Sequence, residues 1–262
     1  MVYGIVLAGG IGSRMGGDKP KQYLTLKGKP VIIYTIEKFF TYPDFEKVIV
    51  LCPSQWVEHT KDLIRKHIAP AQNKVCVIEG GTTRNETIMN AVNYIEQNFG
   101  LDENTIIVTH DSVRPFVTHR IIEENIAACR EYDACDTVIK ATDTIVESKN
   151  EKTISAIPNR SHMYQGQTPQ SFKAAKLKQL YSELSAEEKD ILTDAAKIFV
   201  LKGEKVALVE GETFNIKITY PYDLRVARSL LEDEEHPPFP ALPSRGALKL
   251  LLKTLSCLGK AQ

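Results

Sequence analysis

Apolar, β-branched runs recur along the chain and alternate with stretches of helical periodicity. The runs YGIVLAG (3–9), KVIVLCP (47–53), KVCVIEG (74–80), TIIVTHD (105–111), DTVIKA (136–141) and KVALVEG (205–211) read as strands. Amphipathic stretches near 30–42, 54–68, 83–99 and 118–132 read as helices. Nearly continuous apolar strands separated by helices predict a parallel sheet covered on both faces. Such sheets bind ligands outside the carboxyl ends of their strands. That rule places the loop after the first strand, Gly80-Gly81 and His110-Asp111 at one rim. The segment 143–160 breaks the pattern and reads as a polar-tipped β-hairpin arm.

The pattern changes again after Glu235, dividing the chain into a domain at 1–233 and an appendage at 234–262. The appendage opens on the proline-rich linker HPPFPALPSRG and continues as a basic amphipathic helix with leucines at 248, 251, 252, 255 and 258. Packing on its own domain or on a partner protein is favoured over membrane contact. Charge adds little, because 33 basic and 33 acidic residues balance to zero. No global field favours nucleic acid, and no basic stripe with interleaved aromatics appears. Five widely spaced cysteines (52, 76, 129, 135 and 257) without a CxxC read as reduced thiols of a cytoplasmic protein. The first apolar run is too short for a signal peptide, and no stretch is long enough to span a membrane.

The candidate chemistry starts in GGIGSRMGG (9–17). A dinucleotide fingerprint fails because Met15 stands where its last glycine belongs. A Walker A loop fails because Asp18 follows Gly17. A nest of backbone N–H groups that wraps a triphosphate fits better, with Arg14 and Lys21 as the neutralising cations; a glycine-rich surface loop is the alternative. Asp111 ends an apolar strand and is the candidate ligand for Mg²⁺, which takes one or two carboxylates beside phosphate oxygens. Capping of a following turn is its alternative. His110 reads as structural, Asp223 as a helix N-cap, and Thr87 as either a cap or a site residue. No Ser-His-Asp or Cys-His constellation emerges.

LAGGIGSRMGGDKPKQ resembles the signature loop of nucleotidyltransferases with a glycosyltransferase-A-like fold. Its short spacing to Pro20-Lys21-Gln22 is similar to that of cytidylyltransferases acting on methylerythritol 4-phosphate or ribitol 5-phosphate. GGTTRNETI (80–88), HDSVRPFVT (110–118), QGQTPQSF (165–172), LTDAAKI (192–198) and FNIKITYPYDL (214–224) extend the resemblance over residues 1–233. Methylerythritol enzymes usually carry His-Asp-Ala-Ala-Arg-Pro. Here HDSVRPF, DTIVES and MYQGQTPQSF resemble the ribitol-5-phosphate cytidylyltransferases more closely.

The resemblance implies an α/β, Rossmann-like fold and transfer of a cytidylyl group from CTP to ribitol 5-phosphate. The products would be pyrophosphate and CDP-ribitol, a precursor of teichoic-acid-type polymers. The acceptor phosphate, mostly a dianion at neutral pH with a second pKa of roughly 6, attacks the α-phosphorus and needs no general base. In that scheme Leu7, Ala8, Gly9 and Gly10 hold nucleotide through their backbone. Gly81, Thr82, Thr83, Arg84, Asn85, Glu86 and Thr87 form a second CTP-binding stretch, with Gly81 admitting the cytosine. Ser112 contacts nucleotide and Asp111 holds Mg²⁺ or another divalent cation. Arg14 and Lys21 stabilise the transition state, while Arg160 and Lys217 position the acceptor phosphate. The family also implies a homodimer whose arms exchange and complete each other's sites. Methylerythritol-phosphate cytidylyltransferase is the alternative enzyme, and a non-catalytic nucleotide-binding scaffold is the alternative outside enzymes.

Overall fold

Strand β1 (Val2–Leu7) alternates its side chains between two apolar surfaces, as strand geometry requires. Val2 and Val6 face one cluster, and Tyr3, Ile5 and Leu7 face the other. Both faces are therefore covered, and every residue of the strand is buried. The computed structural model describes residues 1–10 and 19–235. Arg14, Cys257 and the linker and tail from 236 onward lie outside them.

In chain order the next elements are β2 (Thr25–Leu26), β3 (Lys29–Pro30), α1 (Val31–Phe40), β4 (Lys47–Cys52), α2 (Val57–His67), β5 (Val75–Glu79), α3 (Arg84–Phe99), β6 (Ile106–Asp111), α4 (His119–Tyr132) and β7 (Ala134–Lys140). They are followed by β8 (Tyr164–Lys173), α5 (Ala174–Ser182), α6 (Ala186–Asp190), α7 (Ala196–Leu201), β9 (Ala207–Glu210) and α8 (Pro221–Glu235). The main sheet has the order β5-β4-β1-β6-β8-β7-β9. Only β8 runs antiparallel to its neighbours, so the sheet is mostly parallel, as the alternating pattern predicts. One face packs against α1, α2 and α4 through residues such as Ile36, Phe39, Ile64 and Ile122. The other packs against α3, α5 and α7 through Ile88, Val92, Leu177 and Phe199.

All six expected strands are present, with no end shifted by more than two residues. β8 is the strand that the pattern hides. Its buried residues include Gln167, Thr168, Gln170 and Ser171, and Pro169 falls where the pairing with β7 shifts register. Proline in a sheet is confined to such irregularities because it lacks a donor. The arm between β7 and β8 is paired by one isolated bridge, Glu147 to Ala156, rather than by a regular ladder. Asp223 lies in the first turn of α8, not at the N-cap. Its carboxylate reaches back to accept the N–H groups of Thr219 and Tyr220 (2.7 and 2.8 Å), because Pro221 opens the helix and brings no donor of its own.

A third, smaller apolar cluster sets the site. Leu26, Val31, Val113, Phe116, Ile218 and Ala227 bring the β2–β3 ribbon, the loop after β6 and α8 together. Among the described residues no helix is long and apolar enough to cross a membrane. Cys52, Cys76, Cys129 and Cys135 form no disulfide.

Gly4 has a steric role on β1. A Cβ there would lie 2.6 Å from Phe39 Cδ1. The Phe39 ring cannot withdraw, because it is stacked on Phe45 (5.2 Å) and on His110 (5.4 Å). Gly4→Ala is expected to cost about 1–3 kcal/mol in urea unfolding, the usual range for overpacking. Adding Phe39→Leu should recover part of that loss, giving a non-additive cycle. Simple additivity would show that the ring is not what excludes the methyl.

Candidate functional site

A cavity of about 400 Å³ opens at the carboxyl ends of β1 and β6. From β1 the chain crosses to β4 on one side, while β6 lies on the other, so the cavity marks the topological switch point of the sheet. Leu7, Gly9 and Gly10 continue β1 into its wall. Among the described residues no atom lies within 4 Å of a Cβ built on either glycine, so none of them bars a ligand from close approach to this backbone. Lys21 and Gln22 close the same side; both are buried, and Gln22 Nε2 donates to the Ala8 carbonyl (2.8 Å). Ala8 itself is buried beneath the wall.

Across the cavity stand Gly81, Thr82, Thr83, Arg84 and Thr87 at the start of α3. Thr83 is the N-cap, and its hydroxyl and the Glu86 carboxylate form a capping box. The Glu86 carboxylate accepts the N–H groups of Thr82 (2.9 Å) and Thr83 (3.2 Å), so it serves the helix end and does not line the cavity. Thr87 sits a turn further in, where its hydroxyl accepts from Gly81 N (3.0 Å) and donates to the Thr83 carbonyl (2.8 Å). A side chain on Gly81 would meet Glu86 and the Thr87 backbone. Close approach to α3 therefore accounts for that glycine. Asn85 is buried outside the cavity lining, and its Oδ1 has no hydrogen-bond partner among the described residues.

Asp111 ends β6 in the cavity wall with its side chain 8% exposed. Arg84 Nη1 donates to its Oδ1. Lys217 Nζ lies 2.9 Å from its Oδ2, and Arg114 Nε lies 3.7 Å from that same oxygen. Burial pushes the Asp111 pKa upward, but Arg84, Lys217 and Arg114 outweigh it and hold the carboxyl well below the usual range. Ser112 and Val113 follow on the wall; the Ser112 N–H donates to the Leu7 carbonyl (3.0 Å), tying the ends of β1 and β6 together.

His110 is fully buried and stacked on Phe39. Burial, opposed chiefly by its hydrogen bond to the Arg114 carbonyl, lowers its pKa to about 4. A carbonyl can only accept, so Nε2 carries the proton towards Arg114 (3.0 Å) and Nδ1 accepts from the Thr168 hydroxyl (2.8 Å). Neutral and saturated, this histidine is a structural element.

Lys217 thus stands beside Asp111 on the cavity wall. Arg160 does not line the cavity; it is exposed and donates to the Thr142 carbonyl (2.8 Å) at the base of the arm. Gln22, Val113 and Thr219 line the wall without having been singled out from the sequence. Arg114 and Asn215 also escaped that reading: Arg114 Nη1 donates to the Asn215 carbonyl (2.8 Å), and Asn215 Nδ2 donates to the Thr168 carbonyl (2.9 Å). All five lie inside the quoted phrases, but nothing in their spacing separates them from their neighbours. Among the described residues no three His, Cys, Asp or Glu side chains could together hold a metal. One hard carboxylate at a cavity rimmed by cations fits a Mg²⁺ whose other ligands are phosphate oxygens and water.

The chain matches the sequence model of the family described as IspD, 2-C-methyl-D-erythritol 4-phosphate cytidylyltransferase, over residues 2–233. Similar solved structures include the 4-diphosphocytidyl-2C-methyl-D-erythritol synthase of Anaerococcus prevotii. It is 26% identical with a TM-score of 0.72, over 88% of this chain and 96% of that one. The 2-C-methyl-D-erythritol 4-phosphate cytidylyltransferase of Francisella tularensis is 27% identical with a TM-score of 0.71, over 87% and 98%. Its counterpart from Thermus thermophilus is 25% identical with a TM-score of 0.65, over 88% and 100%. The match runs from β1 through most of α8 and takes in every wall of the cavity. The chain belongs to the 2-C-methyl-D-erythritol 4-phosphate cytidylyltransferase family and is a nucleotidyltransferase.

Proposed function

We propose that this chain transfers a cytidylyl group from CTP to the phosphate of D-ribitol 5-phosphate, releasing pyrophosphate. The observation that carries the transfer is the cavity itself. A glycine-backed wall, the buried Lys21 and the Asp111 carboxylate with its ring of cations converge on one space. The difficulty in joining two polyanions is electrostatic, and preorganised cations are the remedy. Lys21, with Arg14 from the same loop, stabilises charge on the reacting phosphate and the departing pyrophosphate. The backbone of Leu7 to Gly10 and the start of α3 hold the nucleotide. Lys217 steers the attacking dianion. Asp111 holds the divalent cation, which when bound neutralises phosphate charge. The neutral His110 takes no proton from the acceptor, which arrives already ionised.

The family match and the solved relatives favour methylerythritol 4-phosphate as acceptor, since that substrate or its product is named in each. Ribitol 5-phosphate is supported by the HDSVRP phrase, because Ser112 and Val113 line the cavity where the methylerythritol enzymes usually carry two alanines. The arm supports an exchanged homodimer: Val146, Ile154 and Ile157 are 50–61% exposed on it, and Arg160 stands outside its own cavity. Buried against a partner, that surface would bring Arg160 to the partner's acceptor site.

Pyrophosphate release with Mg²⁺ should be far faster from CTP than from UTP or ATP, and faster with D-ribitol 5-phosphate than with methylerythritol 4-phosphate. The reverse acceptor order would establish the second reading. The kcat/KM for acceptor should rise with pH and level off above roughly 6, following the acceptor's second ionisation. His110→Asn should leave that midpoint in place, because His110 titrates near 4; a displaced midpoint would give the histidine a role in proton transfer. Lys21→Ala and Arg14→Ala should each lower kcat by about 10²–10³, the scale of one preorganised contact. A raised KM for CTP at normal kcat would assign the residue to uniform binding instead. Mixing Lys21→Ala with Arg160→Ala protomers should restore activity, since one site of each mixed dimer regains both residues. Verified mixed dimers that stay inactive would mean that each subunit builds its own site.

A further inference from the structure

We infer that Arg84 and Lys217 keep Asp111 closed to a divalent cation until the substrates' phosphates draw them away, Arg84 to the triphosphate and Lys217 to the acceptor, so that metal enters this site with the nucleotide and not ahead of it. The inference deepens the proposed function and rests on Asp111 being the metal ligand.

Both oxygens of the Asp111 carboxylate are occupied. Arg84 takes Oδ1, while Lys217 at 2.9 Å and Arg114 at 3.7 Å share Oδ2. A bare divalent cation would have to displace one of these donors. It would also approach the three cations gathered on Asp111, in a pocket where burial weakens solvent screening. Magnesium gives up its water reluctantly and binds through one or two carboxylates plus phosphate. Alone, it gains too little here to offset the exchange.

The three cations differ in their freedom to move. Arg114 is fixed, its side chain 11% exposed and its Nη1 bonded to the Asn215 carbonyl. Arg84 and Lys217 line the cavity with side chains 26% and 41% exposed. Arg84 is the first residue of α3, directly after the N-cap Thr83, whose capping box with Glu86 fixes this helix end. Its side chain can turn into the cavity without moving the helix. A triphosphate offers a guanidinium forked oxygen acceptors, and a phosphate dianion offers an ammonium a denser charge than one carboxylate does. Transfer of Arg84 onto the triphosphate would release Oδ1 of Asp111, and transfer of Lys217 onto the acceptor phosphate would release Oδ2. Asp111 would then be open to hold a divalent cation that arrives with the nucleotide.

The test is direct binding of Mn²⁺ to the nucleotide-free protein, read from the loss of the free-ion electron paramagnetic resonance signal. Wild type should bind weakly. Arg84→Gln should bind about 10-fold or more tightly than wild type, the value of one charge-assisted hydrogen bond. Lys217→Gln, made on the half-exposed wall, should give a separate gain and serves if the Arg84 variant folds poorly. Arg84→Lys, which keeps the charge, should fall between wild type and Arg84→Gln. Adding Asp111→Asn to Arg84→Gln should abolish the gained site. Arg84→Gln and Lys217→Gln proteins that fold normally yet bind Mn²⁺ no better than wild type would overturn the inference while leaving the proposed reaction untouched. Full metal-dependent turnover by Asp111→Asn would instead overturn the reading of Asp111 as ligand, and the inference with it.

Discussion

A single buried carboxylate governs the architecture of the site. Asp111 ends β6 inside the cavity wall, where an unpaired charge would cost several kcal/mol. Its compensation comes from three separate parts of the chain: Arg84 at the start of α3, Arg114 in the loop after β6, and Lys217 before α8. Each must be delivered by an element that packs independently of the others. The same charges that permit Asp111 to be buried are suited to receiving phosphate, so the requirement for folding and the requirement for binding coincide.

A layer of polar contacts beneath the cavity holds these parts in register. Thr168 connects to both Asp111 N (3.2 Å) and His110 Nδ1, the His110 ring meets the Arg114 carbonyl, and Arg114 meets Asn215. Asn215 closes the circuit through the Thr168 carbonyl. Polar groups withdrawn from water need partners, and their mutual satisfaction makes this layer specific where an apolar one would tolerate slippage. It ties the antiparallel β8 to the end of β6, and it anchors Asn215, which precedes Lys217 by two residues. The small apolar cluster containing Val113 and Ile218 secures the same segments from the other side.

Much of this was legible in one dimension. Apolar runs marked six strands because those strands are buried on both faces, and four amphipathic helices followed from 3.6-residue spacing. The glycine-rich loop, Asp111, Lys217 and the start of α3 were visible as motifs, and the cavity gathers their described members. β8 stayed hidden because its interior is polar: its Gln170 and Pro169 carbonyls accept from Thr109 and Thr137 hydroxyls (2.9 and 2.6 Å). Periodicity detects hydrophobic burial and is blind to burial satisfied by hydrogen bonds. The helices α5 to α7 are likewise not legible, two of them being only five or six residues long, whereas α8 is foreshadowed by Asp223.

The sequence by itself determined the elements and the inventory of chemistry, because backbone preferences and side-chain types act locally. The tertiary structure alone decided the partnerships. It set Arg160 apart from the cavity of its own chain. It brought Lys217 and Arg84 onto the two oxygens of Asp111. Those outcomes depend on packing between segments far apart in the chain, where no local periodicity reports who will meet whom.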